Sequence, residues 1–399
     1  MAQFGDFTVD RNSAKYVLGS GGTIISYATD EPAFEFNADG SYKGLLVEPA
    51  ATNICKQSED FDTSWTPTNA TPTQDTEETP DGDTSNKYIK LVDDNTGGGA
   101  TGQVRVIQSM TVSANTQYTA SIFLKADGLA FARLGAFNYD GSTDAAQYFG
   151  LSGAGSLGTA SNLDDSSIES YPNGWYRCSI TWTNGSDPSG FAFGINVAGS
   201  ISNITVDLDG TSSIFVWGAQ VEASPIATSY IPTTTASVTR NKDDISLTGA
   251  SDLIGQGEGT LYVEVDWRLA TGTTQYLFRL QSSTVAGDYA IIRLDDGSDI
   301  IRFDLAENGS IKVRDLTQSS DKTGVYRLAF AYDSADSKIG INGTTITPST
   351  NNAFAFTSTL DELFFGTNDG AVQQANMWIR AVALYKTRLT NDQLADLTS

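Results

Sequence analysis

Apolar and polar residues alternate with period two along most of the chain. In "GTLYVEVDW", Leu261, Val263, Val265 and Trp267 share one face, and Tyr262, Glu264 and Asp266 share the other. "VYRLAFAYD" repeats the pattern with Tyr326, Leu328, Phe330 and Tyr332. "SIFVWGAQVE", from Ser213 to Glu222, is apolar on both faces and predicts a strand covered on both sides. Turn dipeptides punctuate these runs at Asp39-Gly40, Asp140-Gly141, Asp209-Gly210, Asp296-Gly297, Asn308-Gly309 and Asn342-Gly343. Such pairs supply the positive φ that tight hairpins require. Many short strands with no long helical period between them predict an all-β fold of two antiparallel β-sandwiches in tandem.

Two stretches break the alternation. The acidic, Pro- and Thr-rich run from Thr66 to Asn86 reads as a solvated surface loop. After Glu222, Pro225, Pro232 and "PTTTAS" exclude helix and central strand, and alternation resumes only near Asp244. That segment reads as an inter-domain connection, open to trypsin at Arg240 and Lys242. One short helix is predicted at the C-terminal end. Thr390 and Gln393 form a capping box, Leu389 and Leu394 a hydrophobic staple, and Leu394 and Leu397 dock on the second sandwich.

Composition narrows the chemistry. The 399 residues carry 48 acids against 24 bases, a formal charge of -24, which disfavours nucleic acid and anionic lipid as partners. There is no histidine, so His-based general bases, catalytic triads and zinc sites are excluded. Two cysteines are too few for a disulfide scaffold, and Cys178, in register with Tyr176, Ile180 and Trp182, reads as a buried thiol. "MAQFGDFTVDR" lacks a basic region followed by an apolar run, and no stretch approaches the ~20 apolar residues of a membrane span. The expectation is a soluble protein made in a cytoplasm, with no membrane insertion.

Three segments, in this order, carry a resemblance: "GLLVEPAATNICKQSEDFDTSW", "NGWYRCSITW" and "WGAQVEASPIATSYIPTTTASVTR". They resemble phage virion proteins of the tail-fibre, tail-spike and head-fibre type that carry a carbohydrate-binding-module-like jelly roll. "DRNSAKYV" and "DEPAFEFNADGSYKGLLVEP" resemble the lead-in of such proteins. "GTLYVEVDW", "YRLAFAYDSADSKIGINGTTI" and "MWIRAVALYKTRLTNDQLADL" resemble a laminin-G-like, concanavalin-type jelly roll. Pattern and resemblance together give a lead-in over 1–55, a first jelly roll over 56–235 and a second over 244–399. The resemblance implies a component exposed on the virion surface, assembled in the host cytoplasm. Its implied partners are other virion proteins and host-surface glycan, and it implies a homo-oligomer, often a trimer, although no heptad run is present. Two alternatives stand beside this reading: a bacterial polysaccharide hydrolase with an accessory binding module, and a free lectin-like adhesin.

Candidate sites are few. The glucanase relatives of the concanavalin-type fold carry two glutamates on one strand; here Glu264, Asp266 and Arg268 share a face, but Leu269 stands where the second glutamate would be. That strand reads as a solvated face, and the protein as a non-enzyme. Asn138, Tyr139 and Asp140 at a turn, and Trp65 beside the acidic stretch, are the candidate sugar-binding residues, weighed against a plain hairpin tip. Trp175, Trp182 and Trp217 read as core. No cofactor is implied other than calcium, for which Asp207 and Asp209 are the candidate ligands, weighed against simple turn chemistry.

Overall fold

The structure is a computed structural model that describes residues 7–98, 100–268, 274–295, 300–318, 323–367 and 374–399. Leu269 and the Asp296-Gly297 turn lie outside the described residues. The fold is all-β, with one short helix at its C-terminal end. No described helix is long and apolar enough to cross a membrane.

The first sandwich packs two six-stranded antiparallel sheets. One runs Asp165–Ser170, Trp175–Thr183, Gln117–Ala126, Ser213–Glu222, Lys87–Asp93, Ala70–Asp75. The other runs Ser156–Ser161, Ala145–Gly150, Phe131–Phe137, Ala192–Val197, Val104–Ser109, Thr66–Thr68. Their inward alternation builds a core that includes Ile122, Leu134, Cys178, Trp182, Ile195 and Val216. The stretch from Thr66 to Asn86 is therefore not all surface loop: it supplies an edge strand to each sheet. Pro67 and Pro72 are tolerated because an edge strand needs only half of its backbone donors. Every residue from Ser213 to Glu222 is buried, as a strand apolar on both faces requires.

The second sandwich packs an eight-stranded sheet on a seven-stranded one. Hairpins at Asn308-Gly309 and Asn342-Gly343 have positive φ at both turn residues and join adjacent antiparallel strands. The C-terminal helix spans Asn391–Thr398 with the capping box in place: Gln393 N donates to Thr390 Oγ1 and Thr390 N to Gln393 Oε1. Leu394 is fully buried against Tyr262, Ala329 and Ala331, with Leu389 and Leu397 packed beside it.

The N-terminal segment is threaded through both sandwiches. Thr8–Asp10 pairs with Asp244–Thr248 in the eight-stranded sheet, and Tyr42–Val47 pairs with Met377–Tyr385 in the seven-stranded one. Val9, Leu45 and Val47 enter the second core, which is why these short strands hold their register there. The hairpin Lys15–Leu18/Ile24–Tyr27 instead covers the outer face of the first sandwich, where Ile24 joins Phe123, Trp175, Trp217 and Tyr230.

The connection after Glu222 is not an open linker. Val238–Arg240 pairs with Ala51–Asn53, Tyr230 and Ile231 are buried, and Arg240 is 1% exposed. The polar Thr- and Pro-rich composition reflects backbone held by side-chain hydrogen bonds, such as Asn53 Nδ2 to Ile231 O and Thr233 N to Ser58 Oγ. Trypsin under native conditions should therefore leave the bonds after Arg240 and Lys242 intact. Release of two separate folded halves in a limited digest, followed by mass spectrometry, would contradict this packing.

Candidate functional site

The residues singled out in the sequence do not come together. Trp65 is 5% exposed and packs in the first core, 4.9 Å from the Phe61 ring and 6.3 Å from that of Phe193. Its Nε1 donates to Gln57 O at 3.2 Å, so no indole face is offered to a ligand. Asn138 has a φ of 54°, and its Nδ2 donates to Gly190 O. Asp140 Oδ1 accepts from Ser142 N at 3.0 Å and Thr143 N at 2.6 Å. Tyr139 packs partly against the first core. The polar atoms of this tip hold the turn itself.

Asp207 and Asp209 are both exposed, and Asp209 Oδ1 accepts from the Thr211 hydroxyl and N–H. Those bonds hold its carboxyl below the usual range. The turn is organised instead by Asp93, whose carboxylate accepts from the N–H groups of Asn95, Gly210 and Ser212. Among the described residues no group of three or more His, Cys, Asp or Glu is placed to hold a metal ion. On the strand Glu258–Trp267, Glu264 is paired with Arg327 at 3.1 Å and Asp266 with Arg380 at 2.6 Å. Each carboxylate thus has its own guanidinium on an outward-facing surface.

A buried network of charges lies where lead-in, connection and second sandwich meet, and the sequence reading missed it. Asp243 accepts from Arg11 at 2.9 Å and Lys15 at 2.7 Å. Glu48 faces Lys15 at 3.2 Å, Arg240 at 3.5 Å and Arg268 at 2.7 Å, and accepts from Ser229 N. Except for Arg268, the charged residues of this network are at most 1% exposed. Four cations thus surround two carboxylates. Burial alone would raise the Glu48 carboxyl, but Lys15, Arg240 and Arg268 hold it well below the usual range. Burial likewise pulls the Lys15 ammonium down, against the attraction of Asp243 and Glu48. Both directions follow from a low-dielectric site with a surplus of cations. The only sequence signals were a glutamate directly after the apolar run "GLLV" and an arginine closing the Thr-rich connection.

Above this network a cleft of about 250 Å³ opens between the sandwiches. One wall is the outer face of the edge strand Asp165–Ser170 and its neighbour Trp175–Thr183. Alternation projects Asp165, Ser167 and Glu169 from the first, and Arg177, Ser179 and Thr181 from the second. The hydroxyls of Ser167 and Ser179 lie 2.7 Å apart. The other wall is Ile226, Ala227, Arg268 and Trp378. Trp378 is fixed by its Nε1 bond to Glu35 at 2.7 Å and by two cations on its ring, Lys43 at 4.1 Å and Arg268 at 4.7 Å. Arg177 is anchored on Thr228 O and Arg268 on Ala227 O. The cleft therefore presents hydroxyls, carboxylates and fixed guanidiniums beside an indole, a set that can exchange hydrogen bonds with a polyhydroxylated ligand.

No family model and no curated protein sequence matches the chain. Among solved structures, the CBM40 of the Ruminococcus gnavus IT-sialidase aligns over 36% of this chain and 84% of its own, at 15% identity and a TM-score of 0.31. The binding domain of botulinum neurotoxin serotype G aligns over 39% of each chain, at 11% identity and a TM-score of 0.32. The NanB sialidase from Streptococcus pneumoniae aligns over 38% of this chain and 26% of its own, at 16% identity and a TM-score of 0.31.

Proposed function

We propose that the protein is a non-enzymatic structural component displayed on a phage particle, as fibre, spike or decoration, and that it recognises host-surface glycan. The observation that carries glycan recognition is the inter-sandwich cleft, with Ser167, Ser179 and Thr181 facing Arg268 and Trp378. Sugar hydroxyls need several convergent donors and acceptors beside an aromatic surface, and this cleft offers both. The virion setting, the other virion proteins as partners and the homo-oligomer are supported by the resemblance of the three ordered sequence segments. The non-enzymatic reading is supported by Glu264 and Asp266, each tied to an arginine rather than poised as an acid and a nucleophile.

The test is calorimetric titration with polysaccharides from candidate host surfaces. Ser167 is exposed on an edge strand, so Ser167→Trp should fill the cleft without unfolding the sandwich and weaken binding at least ~10-fold, which is ~1.4 kcal/mol. Glu264→Gln should leave binding unchanged. Reducing-sugar release by the wild type that disappears in Glu264→Gln would instead make the protein a hydrolase. Mass spectrometry of purified particles checks the virion setting.

A further inference from the structure

The other outer face of the first sandwich carries a second constellation, on the sheet turned away from the cleft. Antiparallel register brings Arg105, Asn196, Arg133 and Tyr148 into one cross-strand row. In the next row stand Gly194 and Gly135, where a Cβ would collide with the ring of Phe137. The two glycines let that ring fold back along the sheet toward the row. Both guanidiniums then pack on it: Arg105 Cζ lies 5.3 Å and Arg133 Cζ 5.4 Å from its centroid. Arg133 also lies 5.9 Å from the Tyr148 ring.

Acids outnumber bases 48 to 24 in the chain, yet among the described residues neither Arg105 nor Arg133 has a carboxylate within 4.0 Å. The one hydrogen bond of the Arg133 side chain among the described residues is a long contact of 3.5 Å to Asn196 Oδ1. Arg105 Nε and Asn196 Nδ2 are, among the described residues, buried donors without an acceptor, and Asn196 is 0% exposed. Burial holds the Arg133 guanidinium below its usual range, with Tyr148 and Asp144 opposing the effect and Arg105 adding to it. Two like charges, partly desolvated on one ring, with idle donors between them, are unfavourable until an anion arrives.

We infer that the face formed by Arg105, Arg133, Asn196, Phe137 and Tyr148 is a binding site for a carboxylate-bearing sugar residue. A planar carboxylate matches the guanidinium fork in two parallel hydrogen bonds, and the flanking rings supply apolar surface for a pyranose. The formal charge of -24 repels heavily charged polymers, so the ligand is a uronate-type sugar with at most one carboxylate per residue rather than a highly sulfated glycan. The inference rests on the glycan-binding reading and adds the chemical class of sugar at a face separate from the cleft.

The test titrates the full chain with trigalacturonate, with neutral galactotriose and with galactose 6-sulfate. Trigalacturonate should bind in the range of about 1 mM or tighter, and the neutral trisaccharide at least ~10-fold more weakly at this face, a difference of ~1.4 kcal/mol. Arg105→Gln/Arg133→Gln should abolish the preference for the uronate, and Arg133→Lys should restore only part of it, because an ammonium cannot form the paired bonds. Should the double variant fail to fold, Arg105→Gln alone, at a half-exposed position, should weaken trigalacturonate several-fold with an unchanged melting temperature. Equal affinity for the neutral sugar, tighter binding of the sulfate ester, or uronate binding that survives the arginine substitutions overturns the inference. Ser167→Trp serves as the control: it tests the cleft and should leave uronate binding at this face intact.

Discussion

Glu48→Ala is expected to destabilise the folded chain by about 3–5 kcal/mol, the range for breaking a buried ion pair from one side. The substitution removes the carboxylate that Lys15, Arg240 and Arg268 share: Lys15 keeps Asp243, whereas Arg240 and Arg268 keep only neutral acceptors among the described residues, such as Pro49 O and Ala227 O. Chemical denaturation of the full chain, followed by tryptophan fluorescence, measures the loss. A change under about 1 kcal/mol would mean that the cations find water or other partners, as at an exposed pair. The same carboxylate sets an acid limit. Because the folded-state pKa of Glu48 lies well below the unfolded value, its contribution is complete above about pH 4.5 and disappears as pH falls through the depressed folded value. Wild-type stability should therefore begin to fall below about pH 4.5, and Glu48→Ala should flatten that part of the profile.

Leu394→Ala should cost about 2–5 kcal/mol through lost burial and a cavity against Tyr262, Ala329 and Ala331. Thr390→Ala, which removes the hydroxyl that accepts from Gln393 N, should cost about 1 kcal/mol. Packing outweighs capping because a helix of eight residues is too short to persist alone. Thermal unfolding of both variants gives the comparison, and a Leu394→Ala protein as stable as wild type would make the helix a dispensable tail.

The strands and the helix were legible because period-two alternation, turn dipeptides and a capping box are local signals. Trp175, Trp182 and Trp217 fell in core positions for the same reason and are at most 1% exposed. Trp65 was harder to place, since its neighbourhood is polar in sequence but the strand Thr66–Thr68 turns it inward. The sites were not legible because they depend on register between distant strands. Arg105 and Arg133 become neighbours only through Asn196, and Lys15 meets Asp243 across more than two hundred residues. Alternation marks Lys15 as sharing a face with Val17, but it cannot say which carboxylate waits beneath. The connection from Pro225 to Asp243 misled for a related reason: Pro and Thr exclude regular structure, and the same residues can be sealed by side-chain hydrogen bonds instead of water.

The threading of Thr8–Asp10 and Tyr42–Val47 into the second sandwich has a consequence for synthesis. On the ribosome these strands emerge before their pairing partners Asp244–Thr248 and Met377–Tyr385, which are translated more than two hundred and more than three hundred residues later. At roughly 5–20 residues per second, Leu45 and Val47 wait on the order of tens of seconds with nothing to bury them. The first sandwich can close during that interval, with both of its ends held by the pairing of Ala51–Asn53 with Val238–Arg240. In effect the second sandwich is a host fold into which the first is inserted, and a nascent chain halted midway would expose a sticky, half-built sheet.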